Sequence, residues 1–430
     1  MAEYDAMIIG GGAAGLMAAA RLAGSGLHVA LIEQSDRVGR KILATGNGRC
    51  NVLNMRLGEE RYFSRDIDKA MAVLSSYPPD RLIGEFGILG LLTREEDDGR
   101  VYPLSGQAAS VLDVLRLSCD ERGVETLTAS PAMQLAQTRF GWRARLCDGR
   151  EVGARRVILA CGGRAQPTSP ADKQSRPFDA LEVLVALGHS VYPPEPVLTA
   201  LRCDMANLRG LKGVRARCAL TLADEGGRVL RREEGEALFT DYGVSGIAAM
   251  QLSRALGGMR HCTLAIDFLP EMSEADTAAI LLSRVQGMSP RSCEGFLAGT
   301  LNRMLNMCVL RAAGVAPAKP CSELSRDEVN ALAKCLKHFN VNVLGGQDFK
   351  SAQVMRGGAA LDGFDEHLMS RRARGLYACG EMLDVDGECG GYNLMWAWAS
   401  ALTVADGILG EPRGRDERRA DNNINRKKRR

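Results

Sequence analysis

Apolar and polar residues follow a strand–helix–strand order at the start of the chain. Residues 4–9 read Tyr-Asp-Ala-Met-Ile-Ile, which predicts a short buried strand, and the alanine-rich residues 13–22 predict a helix. Residues 27–33 place His-Val-Ala-Leu-Ile before an acidic residue, which predicts a second strand. These three elements predict a βαβ unit, the usual beginning of a parallel sheet.

The patterns keep alternating further along the chain. Helices are predicted over residues 66–92, 108–122, 181–187 and 391–409. Strands are predicted over residues 127–136, 143–147, 156–160, 216–222, 263–268, 352–361 and 375–379. Residues 273–340 are helix-like throughout. This order predicts an α/β fold in which β-rich and helical regions interrupt a parallel sheet.

Shifts in composition indicate where the domains divide. Residues 166–177 are polar and contain three prolines, which predicts a surface loop, and Tyr-Pro-Pro-Glu-Pro at 192–196 predicts a stiff connector. The predicted domains are a nucleotide-binding domain over 1–190, an inserted β-rich domain over 191–272, a helical subdomain over 273–340, a return strand of the inserted domain over 341–372, the rest of the first domain over 373–410, and a basic disordered tail over 411–430.

Composition and charge narrow the functional classes. The 430 residues are 46% hydrophobic and 25% charged, as in a globular protein, and 55 basic against 52 acidic residues give a net charge of +3. Residues 411–430 hold nine basic and four acidic residues, which leaves the rest of the chain near −2. A nucleic-acid partner is therefore not expected, although the basic tail keeps an RNA-associated flavoprotein open as an alternative.

Cysteine usage and apolar run lengths bear on the compartment. The thirteen cysteines never occur as Cys-x-x-Cys, so neither a redox dithiol nor a metal site is expected, and most of them read as buried thiols. No apolar run is long enough to predict a membrane span, and the first residues are acidic where a secretory signal would be basic. A cytoplasmic enzyme is expected; the oligomeric state stays open.

The glycine run between the first strand and helix predicts a nucleotide site. Gly10, Gly12 and Gly15 form Gly-x-Gly-x-x-Gly, with Ala13 and Ala14 completing the turn. These glycines permit a tight turn, close approach of a pyrophosphate and close packing of helix on strand, and the helix N-terminus favours the negative charge. Glu33, at the end of the second strand, is placed to accept hydrogen bonds from an adenosine ribose.

Further glycine-rich turns favour FAD over NAD(P). A second loop, Ala-Thr-Gly-Asn-Gly-Arg-Cys-Asn at 44–51, contains Asn47 and suits the longer ligand. Two more strands end in small residues, at Ala160 to Gly162 and at Gly380. The helix that begins near Gly391 and Leu394 directs its N-terminus at a site where a reduced flavin ring carries negative charge.

Four blocks resemble the bacterial FAD-dependent oxidoreductases that include aminoacetone oxidases and 3-dehydro-bile-acid reductases. They lie at 10–15, 44–51, 235–246 and 380–398, and the resemblance spans about residues 4–410. It implies a Rossmann-like FAD-binding domain of the glutathione-reductase type with an inserted β-rich domain and a helical subdomain. It also implies FAD contacts at Gly12, Ala14, Gly15, Glu33, Gln34, Lys41, Arg49, Cys50, Asn51, Ala132, Glu381, Tyr392 and Asn393.

The chain departs from the family pattern in two places. Relatives carry a glycine- and threonine-rich stretch where this chain has Gln166 to Phe178, and small residues where it has Met355 and Arg356. Both segments are expected near the flavin, so the sequence predicts that they affect substrate choice.

The predicted reaction is hydride transfer between flavin N5 and a small or steroid-like substrate. Reduction of an activated C=C or C=O bond is favoured, with NAD(P)H as the expected reductant. No second Gly-x-Gly-x-x-Gly run provides a dedicated nicotinamide site, so NAD(P)H would dock transiently at the flavin face, and oxygen or another protein stays open as the electron partner. An oxygen-using oxidase of a small amine and a flavin carrier without turnover are the alternatives. The general acid is not identified by the sequence; candidates are Tyr392, Asp241, Tyr242 and Arg356.

Overall fold

The computed structural model describes residues 3–165, 179–259, 261–287 and 291–411. The strands are β1 Tyr4–Ile9, β2 Val29–Ile32, β3 Leu53–Asn54, β4 Tyr62–Phe63, β5 Thr93–Glu95, β6 Arg100–Pro103, β7 Glu125–Leu127, β8 Ala132–Thr138, β9 Gly141–Leu146, β10 Glu151–Leu159, β11 Val191–Val197, β12 Leu201–Cys203, β13 Arg215–Ala223, β14 Val229–Phe239, β15 Gly243–Ser245, β16 Cys262–Asp267, β17 Phe339–Gly346, β18 Val354–Ala359, β19 Leu376–Ala378 and β20 Asp386–Gly387. The α-helices are α1 Ala13–Gly24, α2 Arg40–Ala44, α3 Ile67–Ser76, α4 Pro79–Ile88, α5 Ala108–Glu121, α6 Ala180–Ala186, α7 Ile247–Ser253, α8 Glu274–Gly287, α9 Arg303–Ala312, α10 Arg326–Lys337 and α11 Tyr392–Gly410.

The described chain forms two compact units. The first contains residues 3–163, 179–194 and 356–411, and the second contains residues 164–165 and 195–355 apart from the gaps given above. The sequence analysis placed the end of the inserted region at residue 372, whereas the second unit ends at Met355. The difference arises because β18 and the segment after it pair with elements of the first unit, as at Ala359 and Leu383.

The first unit is built on a mixed sheet of seven strands. Its order is β7-β2-β1-β10-β9-β8, and β19 pairs with β10 beyond that path. Strands β7, β2, β1, β10 and β19 are parallel, and β9 and β8 extend the sheet as antiparallel strands. The buried residues of β1 and β2 are almost continuously apolar, which is typical of parallel strands covered on both faces.

Helix α1 packs on this sheet, and α5 and α11 pack against α1. The alanines of α1 permit close contact with α11, and Trp396 and Trp398 of α11 are fully buried. Helix α11 is apolar around most of its circumference, which is characteristic of a helix enclosed by its own domain. This burial fixes the first turn of α11 relative to the glycine turn that precedes α1.

The second unit is a closed antiparallel barrel with helices inserted between its last strands. The barrel order is β12-β15-β14-β13-β16-β17, and its core includes Leu220, Phe239 and Leu264. Helices α8, α9 and α10 connect β16 to β17 and share the same hydrophobic core. Helix α10 begins with a capping box in which the Ser325 hydroxyl and the Glu328 carboxylate each accept a backbone N–H.

The fold class predicted from the sequence is confirmed: a Rossmann-type domain carries an additional β-rich domain and helices. One prediction of local structure was wrong, and one strand of the predicted β-rich region was missed. The proline-rich connector forms strand β11, because among the described strands it pairs with β18 alone and its prolines need no ladder N–H on the open side. Strand β14 was not predicted, because Arg231 to Glu236 reads Arg-Arg-Glu-Glu-Gly-Glu and contains no apolar side chain.

Two further expectations concern segments at the edge of the described chain. The predicted loop at 166–177 and the tail after residue 411 lie outside the described residues. Glu411 itself is described, and its carboxylate accepts hydrogen bonds from Arg156 and from the Tyr377 hydroxyl. Within the described ranges, no helix combines the length and the apolar character that crossing a bilayer requires.

Candidate active site

The glycine turn between β1 and α1 is as tight as its sequence predicts. Gly10 adopts a positive φ of 113°, and a Cβ there would collide with the carbonyl oxygen of Ala160. A Cβ at Gly15 would collide with the carbonyl oxygen of Gly10. A Cβ at Gly12, by contrast, would meet no protein atom within 4 Å. Gly12 therefore borders open space at the N-terminus of α1, where Ala13 begins the helix.

Glu33 is held at the end of β2 beside this turn. Its carboxylate accepts hydrogen bonds from the backbone N–H groups of Gly11 at 2.8 Å and Ser35 at 2.7 Å. Its carbonyl accepts the N–H of Ser130, which brings the segment before Ala132 to the same place. Gln34 is exposed next to it. The predicted ribose site thus has a fixed acceptor.

A buried network anchors the turn around Gly380. The Ser400 hydroxyl accepts the Gly380 N–H at 2.9 Å, and the Trp396 indole donates to the Gly380 carbonyl at 3.0 Å. The following residue, Glu381, pairs with Lys41 at 2.7 Å and accepts the Gly163 N–H at 3.3 Å. Four predicted positions therefore lie together here. They are Lys41, the segment Ala160 to Gly162, Gly380 and Glu381. Ala14 is also close, because a Cβ built on Gly380 would lie 3.1 Å from the Ala14 Cβ.

The second glycine loop turns back on itself before β3. Asn47 and Cys50 both have positive φ, and the Cys50 side chain is buried. Burial raises the pKa of the Cys50 thiol to about 11, so the thiol is protonated at neutral pH and behaves as a packing group. Arg49 pairs with Glu96 at 2.5 Å and lies 4.2 Å above the Tyr102 ring.

This loop meets the first turn of α11. Gly391 precedes the helix with a φ of 101°, and a Cβ there would lie 2.6 Å from the Leu53 carbonyl and 2.9 Å from Asn51 Oδ1. The Asn51 Oδ1 atom is buried and has no hydrogen-bond partner in the described part of the chain. Asn393 braces the turn by bonding both backbone groups of Gly387 at 2.8 Å. Tyr392 and Leu394 complete the helix start.

The residues present fit FAD on two observations. The space next to Gly12 at a helix N-terminus suits a pyrophosphate, which needs free backbone N–H groups and room for close approach. The unpartnered acceptor of Asn51 beside the α11 N-terminus suits the N–H of an isoalloxazine ring, because a buried acceptor is costly without a donor. FAD would be held by these two clusters, joined through residues 380–391.

The candidate acid–base residues differ in their surroundings. Burial raises the pKa of Tyr392, and its hydroxyl donates to the Arg56 carbonyl at 3.2 Å, so it is a neutral phenol. The Lys212 ammonium, which bonds Asp241 at 2.8 Å, holds the pKa of that exposed carboxyl below its usual range. Asp241 is thus ionised at neutral pH and is not a proton donor there. Tyr242 is 42% exposed on the second unit.

A charged cluster that the sequence reasoning missed surrounds Asp384 in the first unit. Asp384 is 7% exposed, and it accepts the backbone N–H of Arg65 at 3.2 Å. The Arg65 guanidinium carbon lies 3.5 Å from the centre of the Tyr192 ring. Burial raises the pKa of Asp384, and the nearby Arg65 and Arg356 oppose that effect. No short motif connects these residues, because they are far apart in the sequence. The only sequence signal for the cluster was that Asp384 lies within the 380–398 block.

The fold and these clusters define a Rossmann-type FAD-binding protein. Residues 4–407 match the family model described as the HI0933-like protein Rossmann domain, so the chain belongs to that family. The chain is 35% identical over 416 residues to the 3-dehydro-bile acid delta(4,6)-reductase of Clostridium scindens, covering 94% of this chain and 99% of that protein. The resemblance to 3-dehydro-bile-acid reductases is thereby confirmed, and the resemblance to aminoacetone oxidases stays a prediction.

Two other similarities are more distant. The chain is 28% identical over 413 residues to the ribosomal RNA dihydrouridine synthase of Escherichia coli, covering 95% of this chain and 99% of that protein. It is similar to the solved 3-ketosteroid delta1-dehydrogenase of Sterolibacterium denitrificans, with a TM-score of 0.48, 14% identity, and coverage of 94% of this chain and 99% of the other.

Proposed function

We propose that this flavoprotein oxidoreductase uses NAD(P)H to reduce a carbon–carbon double bond conjugated with a ketone in a steroid-like substrate. The relationship to the Clostridium scindens reductase, which spans almost the whole of both chains, is the observation that carries this proposal. It agrees with the preference of the sequence analysis for an activated C=C bond over an amine.

Residues of the first unit would hold the cofactor at defined points. When bound, FAD would supply the hydride chemistry. The N–H groups of the first turn of α1 would bind its pyrophosphate, and Glu33 would bind its ribose. The α11 N-terminus would favour negative charge on the ring, with Asn51 accepting a ring N–H. Tyr392 is a neutral donor at this helix start, but its proton is bonded to a carbonyl.

A second candidate is the reduction of uridine in ribosomal RNA. The sequence analysis did not expect a nucleic-acid partner, yet the relationship to the Escherichia coli synthase favours one. Both relatives' names describe addition of hydrogen to a C=C bond next to a carbonyl, so one flavin chemistry serves both substrates. The small-amine oxidase remains the third alternative.

An anaerobic experiment, followed by admission of oxygen, distinguishes these functions. The purified protein is expected to show flavin absorbance that NADPH or NADH bleaches. A 3-oxo-4,6-diene bile acid is then expected to restore the oxidised spectrum, whereas unmodified ribosomal RNA and aminoacetone are not. Reoxidation by RNA instead would support the second candidate, and rapid reduction by aminoacetone with reoxidation by oxygen would support the third. A protein that takes up no FAD in excess would refute all three.

A further inference from the structure

The Arg65 side chain is held in place by an aromatic ring, but its N–H groups donate no hydrogen bond to the described residues. Its guanidinium carbon lies over the Tyr192 ring, 3.5 Å from the ring centre, a cation–π contact that holds the group in place. Among the described residues, no carboxylate, hydroxyl or carbonyl accepts a hydrogen bond from that guanidinium, which is exposed. Its edge therefore offers parallel N–H donors, the arrangement that binds a planar oxyanion.

The backbone connects Arg65 to the flavin clusters. The Arg65 N–H donates to Asp384, and the Asp384 N–H donates to the Ala359 carbonyl at 2.8 Å. Asp384 lies in the segment between Glu381, at one cluster, and Gly391, at the other. Arg65 thus lies beside the segment that joins the two ends of the predicted cofactor site.

Asp384 does not present its charge to a ligand at Arg65. Burial raises the pKa of Asp384, and the positive charges of Arg65 and Arg356 lower it. The carboxylate of Asp384 is almost completely covered, so a ligand approaching Arg65 meets the guanidinium rather than the acid.

We infer that Arg65, held against Tyr192, binds the carboxylate of the substrate and so selects steroid acids over neutral steroids. This inference rests on the proposed function for the rest of the substrate. Bile acids carry their carboxylate on a side chain far from the ring that is reduced, so one molecule has both a reacting end and an anionic end.

The test compares a steroid acid with its neutral methyl ester. The Arg65→Gln variant is expected to raise KM for 3-oxo-4,6-choladienoic acid by about tenfold to a hundredfold, because charge-assisted hydrogen bonds are lost, with little change in kcat. KM for the methyl ester should not change. Tyr192→Leu should weaken acid binding and Tyr192→Phe should retain it. Arg139→Gln serves as the matched control, since Arg139 is another arginine over a ring, at 5.6 Å from Phe140.

Binding measured by calorimetry separates failure of this inference from failure of the proposed function. Cholate is expected to bind the wild-type holoenzyme more tightly than methyl cholate does, and Arg65→Gln is expected to remove the difference. Charge-dependent binding without turnover would support the anion site and refute the reductase proposal. Equal turnover of acid and ester, equal losses for both in Arg65→Gln, or an effect of that variant on RNA retention alone would overturn the inference, as would no binding of cholate.

Discussion

At the scale of single residues, the predicted pyrophosphate site depends on glycines. A Cβ added to one of them would collide with the backbone, and a Cβ added to another would meet open space. Gly15 and Gly12 belong to the same turn, but only Gly15 touches protein backbone on the side where a Cβ would project. Gly15 is needed for the packing of α1, and Gly12 is needed for access by a ligand. Replacing each glycine by alanine in turn should therefore separate the two roles.

Gly15→Ala is expected to lower the free energy of unfolding of the apoprotein by about 1–3 kcal/mol or more, because α1 must move away from Gly10. Gly12→Ala should leave it unchanged, since the φ of −82° suits alanine, but should weaken FAD binding. Urea denaturation of both apoproteins and titration with FAD measure the two effects. Equal stabilities of the two variants would contradict this account of the turn.

At the scale of elements, α11 holds both flavin clusters at once. Its N-terminus contacts the 44–51 loop through Gly391, and its second and third turns bind the Gly380 backbone through Trp396 and Ser400. The Trp398 indole also donates to the Val52 carbonyl at 2.9 Å. One rigid helix therefore sets the separation between the two clusters.

Ser400→Ala is expected to destabilise the protein by about 1–3 kcal/mol and to weaken FAD binding, because the buried Gly380 N–H loses its acceptor. Thr403→Val, one turn later, is the control: Thr403 is 7% exposed, and its hydroxyl has no partner among the described residues. That variant should be neutral or stabilising. Similar losses for both variants, measured by chemical denaturation and FAD titration, would count against the role of Ser400.

The sequence predicted the elements that have strong local signals. Gly10, Gly12, Gly15 and Glu33 lie together because a βαβ unit keeps its parts close in sequence and space. The pairing of Arg65 with Tyr192 was not predictable, since it depends on where distant segments meet. Strand β11 was missed because its prolines indicate a connector unless the partner strand is known.

At the scale of the whole molecule, charge is unevenly distributed along the chain. Residues 412–430 hold nine basic and three acidic residues, whereas Glu411 belongs to the structured part through Arg156 and Tyr377. A truncation that separates tail charge from folding must therefore end after Glu411. This placement permits a direct test of the RNA alternative.

Truncation after Glu411 is expected to leave the melting temperature unchanged and to weaken non-specific RNA binding at low salt by about tenfold or more, since phosphate contacts by basic residues dominate such binding. Glu411→Gln in the full chain should lower the melting temperature and leave RNA binding unchanged. The reason is that Arg156, at 13% side-chain exposure, loses its charged partner. Filter binding across a salt series and thermal unfolding measure the pair. If truncation leaves RNA binding unchanged, the RNA-binding residues lie before residue 412 and the prediction for the tail is wrong.

The order of strands in the first sheet has a consequence for biosynthesis. Strand β10 pairs along part of its length with β19, which the ribosome produces only after the barrel and its helices have been made. Until then the growing polypeptide exposes the edge of β10 at Val157 to Leu159, an apolar strand edge of the kind that promotes association between nascent chains. The sheet of the nucleotide-binding half can therefore be completed only when synthesis is nearly finished.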